Sequence, residues 1–101
     1  MGSYQISSKP IGLGWIDGTI DSFRFQAKVY DVGSRFGIND GRVSKLEILN
    51  PDAGGMVKGS IASYDRGWDR KPATDEYQAL YEAVLLYLEG LPPEECWKEM
   101  L

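Results

Sequence analysis

Hydrophobic and polar positions alternate most cleanly between Phe23 and Tyr30. Phe23, Phe25, Ala27 and Val29 fall on one side, and Arg24, Gln26, Lys28 and Tyr30 on the other. A period of two predicts a strand with one buried and one wet face. Trp15–Ile20, with Gly18 inside it, predicts a preceding strand joined through a tight turn at Asp21-Ser22. Val43–Leu49 predicts a third strand, in which Leu46 and Ile48 share a face with Ser44, while Lys45 and Glu47 face the other way with Val43 and Leu49. Met56–Tyr64 predicts a fourth. Asn39-Asp40-Gly41 and the run Asn50-Pro51-Asp52-Ala53-Gly54-Gly55 separate these segments with residues that tolerate positive φ or fix a bend.

The period changes after Pro72. Tyr77, Leu80, Tyr81, Val84, Leu88 and Leu91 recur at three- and four-residue spacing, and Leu85 and Leu86 widen the stripe. Thr74 predicts the N-cap, Asp75 and Glu76 suit the first turn, and Gly90 suits the C-cap. Pro92-Pro93 stops the helix, and Pro93-Glu94-Glu95 starts a short terminal one. The expected architecture is one α+β domain over residues 1–101. An irregular lead-in (1–13) precedes a four-stranded antiparallel meander (15–64), which packs on one C-terminal helix (74–90) and is followed by a short terminal helix (93–101).

Composition narrows the chemistry. The chain has no histidine and one cysteine, Cys96. That leaves no imidazole base or metal ligand and no intramolecular disulfide, which suits a reducing cytoplasm. No run of about 18 apolar residues predicts a membrane span. Residues 75–101 hold seven acidic side chains and one basic, a net of −6, whereas residues 1–74 carry a net of +2. The tail is acidic and the sheet region mildly basic, so either can meet a partner of opposite charge.

No catalytic constellation emerges. Ser44-Lys45 are adjacent on a strand and point apart, and the pairs Asp65/Asp69 and Asp17/Asp21 are explained by salt bridges and turns. Gly33 and Gly37 lack the Gly-Lys-Ser/Thr ending of a phosphate loop. No catalytic residue, metal ligand or cofactor is assigned. Two candidate binding surfaces remain. Arg24, Lys28, Tyr30 and Lys45 project from the open sheet face, a composition suited to nucleotides or nucleic acid. Asp65, Arg66, Trp68, Asp69 and Arg70 form a dense charged and aromatic segment before the helix, with Arg42 able to reach its acids and Trp68 able to lie over an arginine.

Five segments carry a resemblance: Phe25–Asp31, Gly33-Ser34, Phe36-Gly37-Ile38, Gly41–Leu46 and Tyr64–Asp69. In this order they resemble a family of small uncharacterised proteins of Firmicutes phages and mobile elements, a domain of unknown function, over about Trp15 to Leu88. The resemblance implies a cytoplasmic accessory protein and supplies no activity or ligand. The leading expectation is therefore a non-enzymatic protein that acts by binding another protein, such as a component of a host defence system. The alternative is a nucleotide or nucleic-acid binder using the basic sheet face. A homodimer is compatible with the small core, and no membrane partner is expected.

Overall fold

The computed structural model describes residues 4–51 and 59–91. Six strands, each hydrogen-bonded to the next, form one antiparallel sheet in sequence order: β1 (Ile6–Gly12), β2 (Trp15–Ile20), β3 (Phe23–Val29), β4 (Val43–Leu49), β5 (Ser60–Asp65) and β6 (Trp68–Arg70). Helix α1 (Asp75–Glu89) covers one face. The α+β class and the C-terminal helix are as expected, but the sheet has six strands rather than four.

Both additional strands are sheet edges. β1 lies in the segment expected to be irregular. It carries almost no apolar alternation because its more buried positions after Ile6 are Ser8, Pro10 and Gly12, and Ser7, Lys9 and Pro10 are residues that an edge tolerates. β6 is three residues long and returns from a tight hairpin at Arg66-Gly67, where Asp65 N donates to Gly67 O at 2.9 Å. The charged and aromatic segment before the helix is thus itself part of the sheet.

The buried face follows the cross-strand register. Ile16, Ala27, Leu46, Tyr64 and Trp68 form one row, and Gly18, Phe25, Ile48 and Ala62 the next. Leu80, Tyr81, Val84 and Leu88 of α1 close over them. Leu85 is half-buried, but Leu86 is 77% exposed, so the apolar stripe is narrower than its sequence suggests. Thr74 caps α1, its hydroxyl accepting from Tyr77 N at 3.1 Å, and Gly90 ends it.

Val43 departs from the alternation. It is fully buried, not on the wet face, because the β3–β4 register slips between Lys28 and Val29. Lys28 faces Lys45 and Val29 faces Val43, so Ser44 is the extra residue of a β-bulge. Asn39 and Asp40 do take left-handed backbone, with φ of 54° and 60°. They do so in a single 3-10 turn, Ile38–Asp40, within a longer β3–β4 connection, not in a tight hairpin. β5 begins at Ser60. Residues 56–58 of the expected fourth strand, most of the Asn50–Gly55 turn, and the terminal helix with Cys96 lie outside the described residues.

Candidate functional site

On the face opposite α1, uncovered among the described residues, Trp15, Lys28, Lys45 and Asp65 stand side by side on β2, β3, β4 and β5. Lys28 and Lys45 are direct cross-strand partners, and like charges so placed destabilise a sheet. Trp15 partly offsets this. The Nζ atoms of Lys28 and Lys45 each lie 5.8 Å from the centre of its ring, and Lys28 Nζ is also 5.6 Å from Tyr30. Asp65 is 3.7 Å from Lys45 and 3.5 Å from Arg66 Nε. Two of the three cations, Lys45 and Arg66, therefore share one carboxylate.

The bulge shapes the site. Ser44 is only 3% exposed, and its carbonyl accepts from Arg66 N at 2.9 Å. This bond ties the β5–β6 hairpin to β4. Arg66 holds φ at 58°, a region that side chains other than glycine rarely occupy. The opposite wall comes from the β3–β4 connection, where Tyr64 Oη donates to Phe36 O at 2.8 Å and anchors the loop to the core. Lys28, Lys45, Ser44 and Arg66 on one side and Tyr30, Val32, Gly33, Ser34 and Phe36 on the other line an open cleft of about 420 Å³.

The residues singled out from sequence divide sharply. Lys28, Tyr30, Lys45 and Arg66 line this cleft, and Asp65 pairs with two of its cations. Arg24 lies further along the sheet beside Asp17, 3.8 Å away. Arg42 is instead a brace: its Nε donates to Tyr30 O at 2.7 Å, and its Nη1 to Glu89 O at 2.9 Å and Leu91 O at 2.6 Å. Trp68 does not lie over an arginine. It packs edge-on between Tyr64 and Tyr81, ring centres 5.2 and 5.3 Å away. Asp69 and Arg70 are exposed on β6 and do not line the cleft. Arg35, in the β3–β4 connection, sits over the Phe36 ring at 5.0 Å.

Trp15 and Phe36 were not singled out as site residues, and Ser44 was considered only beside Lys45 and set aside, although Phe36 and Ser44 both line the cleft. The Trp15–Lys28 pairing follows from a two-residue hairpin at Asp21-Ser22, so a signal for Trp15 existed. Ser44 depends on the bulge and Phe36 on the fold of the long connection, neither of which has a local signature.

A second, smaller depression holds Asp17, Gln26 and Glu47 in the adjacent cross-strand row. Asp17 Oδ1 and Glu47 Oε2 are buried there without a hydrogen-bond partner among the described residues. No group of three metal-ligating side chains gathers among those residues, and none of their helices is long and apolar enough to cross a membrane.

Burial raises the Tyr81 phenol above its ordinary value, and Glu82 and Tyr64 add to the effect. The unfolded chain then ionises first, near pH 10. Stability is intact below that pH and falls as pH rises through the folded value. Urea unfolding between pH 9 and 11 should show this loss, reduced in Tyr81→Phe; an equal loss in that variant would disprove the assignment.

Fold and cleft define a small α+β domain with a helix on one sheet face and a cationic, aromatic cleft on the other. The chain belongs to the family described as Domain of unknown function (DUF7678), whose model matches residues 14–89. That span runs from the β1–β2 turn through the end of α1 and contains every residue lining the cleft. No curated protein and no solved structure matches the chain.

Proposed function

We propose that this is a non-enzymatic binding domain whose open-face cleft takes an anionic ligand with a flat ring, a nucleotide or a piece of nucleic acid. The carrying observation is the Lys28–Lys45 pair. Two ammonium groups in direct register weaken the sheet, and Arg66 adds a third cation from a strained backbone. Local features that cost stability concentrate where function requires them. Tyr30 and Phe36, each about half exposed, offer ring surface beside the cations.

Calorimetry against nucleotides and short oligonucleotides tests this reading. Lys28→Gln and Arg66→Gly should each lower affinity about tenfold or more, the equivalent of losing one charge-assisted contact of about 1.5–3 kcal/mol. Stability should move the other way or stay put. Arg66→Gly relieves a left-handed residue, and Lys28→Gln removes a like-charge pair. Unchanged affinity in both variants, or no heat from the unaltered protein with any anion, would reject the cleft as the site.

Binding of another protein is the second reading, favoured by Leu13 and Val32, which are 83% and 74% exposed. Leu13 also holds φ at 56° between two positive-φ glycines, an unusual conformation for an exposed bulky residue. Under either reading the chain would serve as a cytoplasmic accessory protein of a phage or mobile element, sequestering a signalling nucleotide or covering a host defence protein. Leu13→Ser, at a residue outside the cleft lining, should then abolish a partner complex while leaving nucleotide binding intact. Survival of the complex would exclude that apolar end as the contact.

A further inference from the structure

We infer that the occupant of the cleft is a single nucleoside di- or triphosphate and not a nucleic-acid strand. This rests on reading the cleft as an anion site, and it comes from how charge is divided over the open face. A strand-binding surface needs a continuous basic track. Here the cations Lys28, Lys45 and Arg66 are confined to one end. Two residues further along β2 and β4, about 7 Å by strand geometry, the middle of the face turns acidic, and Lys9 and Arg70 stand only on the edge strands of that row. Asp17 and Glu47 stand there, flanking Gln26, each with one carboxylate oxygen that no described residue satisfies. Any polyanion leaving the cleft along the strands would set its next phosphate against these carboxylates. Arg24 does not bridge the gap, because it sits beyond Asp17 and is paired with it.

Two further exits also lack cations to receive a polyanion. Across the strands, the row ends at Asp65 on β5. Toward the β3–β4 connection, Tyr30, Val32 and Phe36 form an apolar wall. The cleft of about 420 Å³ lies within the range of roughly 300–1,000 Å³ that small-molecule sites occupy. Lysine ammoniums act as point charges for phosphate, and the Arg66 guanidinium offers a planar fork. The polyphosphate then rests on Lys28, Lys45 and Arg66, and the base lies against Tyr30 and Phe36.

Isothermal titration of the intact chain with ATP, GTP, CTP and UTP, inorganic tripolyphosphate, adenosine, and the oligonucleotides dT10 and rU10 decides it. At least one nucleoside triphosphate should bind one per chain. Tripolyphosphate should bind at least tenfold more weakly for lack of a ring, and adenosine should give no heat. Both oligonucleotides should bind at least tenfold more weakly than the best triphosphate. Asp17→Asn combined with Glu47→Gln should strengthen dT10 binding at least tenfold and leave triphosphate binding within twofold. An oligonucleotide that outbinds every triphosphate overturns this inference but keeps the anion site, as does a double variant with unaltered dT10 affinity. Tripolyphosphate equal to the best triphosphate removes the nucleotide. No binding of any anion overturns the inference and the anion site together.

Discussion

Gly18→Ala should cost about 3 kcal/mol or more and lower Tm by at least about 12 °C, at the scale of overpacked cores and of a domain this size. A β-carbon at Gly18 would lie 2.5 Å from Phe25 Cζ and 2.7 Å from Ser7 O. Phe25 is 1% exposed and has no room to turn away. Ser7 O belongs to the backbone of β1, so relief there means pulling the edge strand off the sheet. Loss of β1 would also break the 2.6 Å hydrogen bond between Ser8 Oγ and Tyr87 Oη that ties this strand to α1. Phe25→Leu in the Gly18→Ala background should restore part of the stability, since it removes only one of the two clashes. Gly67→Ala is the matched control: its β-carbon meets nothing within 4 Å, and stability should change by less than about 0.5 kcal/mol. Thermal unfolding followed by circular dichroism reads all four proteins. A Gly18→Ala protein as stable as the parent would mean that β1 does not pack at Gly18 as described.

Arg42→Met should cost about 3 kcal/mol while leaving anion binding to the folded protein within twofold. Helix α1 has no basic residue in its last turn, so nothing on the helix itself offsets its negative C-terminal end. Arg42 supplies the cation from the start of β4 and donates to Glu89 O and Leu91 O. In return, the Glu89 carboxylate accepts from Arg42 N at 2.8 Å and Val43 N at 3.3 Å. The start of β4 and the end of α1, far apart in sequence, thus satisfy each other. Removing the guanidinium leaves carbonyls of a part-buried helix end unpaired, and hydrogen bonds to charged groups are worth about 1.5–3 kcal/mol each. Arg42→Lys should recover little, because one ammonium cannot reproduce the three-carbonyl geometry. Urea unfolding gives the stability and calorimetry the binding. Affinity lost along with Lys28→Gln-like behaviour, at unchanged stability, would return Arg42 to the binding site where its sequence context placed it.

The same contrast explains how much of this molecule was legible beforehand. β2 and β3 were readable because their alternation is strict and their turn has two residues, which also fixes Trp15 opposite Lys28. The helix was readable because capping and apolar spacing are local properties. Lys28, Tyr30 and Lys45 could be placed on a wet face by parity alone. Trp68 and Arg42 were misplaced for one shared reason: an aromatic or an arginine in a polar segment looks the same whether it faces solvent or reaches a distant partner. Trp68 meets Tyr81 and Arg42 meets Glu89 only after α1 has docked.

Local chemistry in the chain determined the antiparallel strands, the single C-terminal helix and the two faces of β3, since each depends on neighbours within a few residues. Tertiary structure decided the rest. The edges β1 and β6 exist because a neighbouring strand offers its free hydrogen bonds, not because their own residues alternate. The bulge at Ser44 reverses the facing of Val43 and brings the hairpin of Arg66 over β4. The cleft assembles five cationic and aromatic residues from β3, β4 and two loops, and acids from β2 and β4 stand beside it. No local pattern encodes that meeting, because the separations along the chain are bridged only by the register of the sheet.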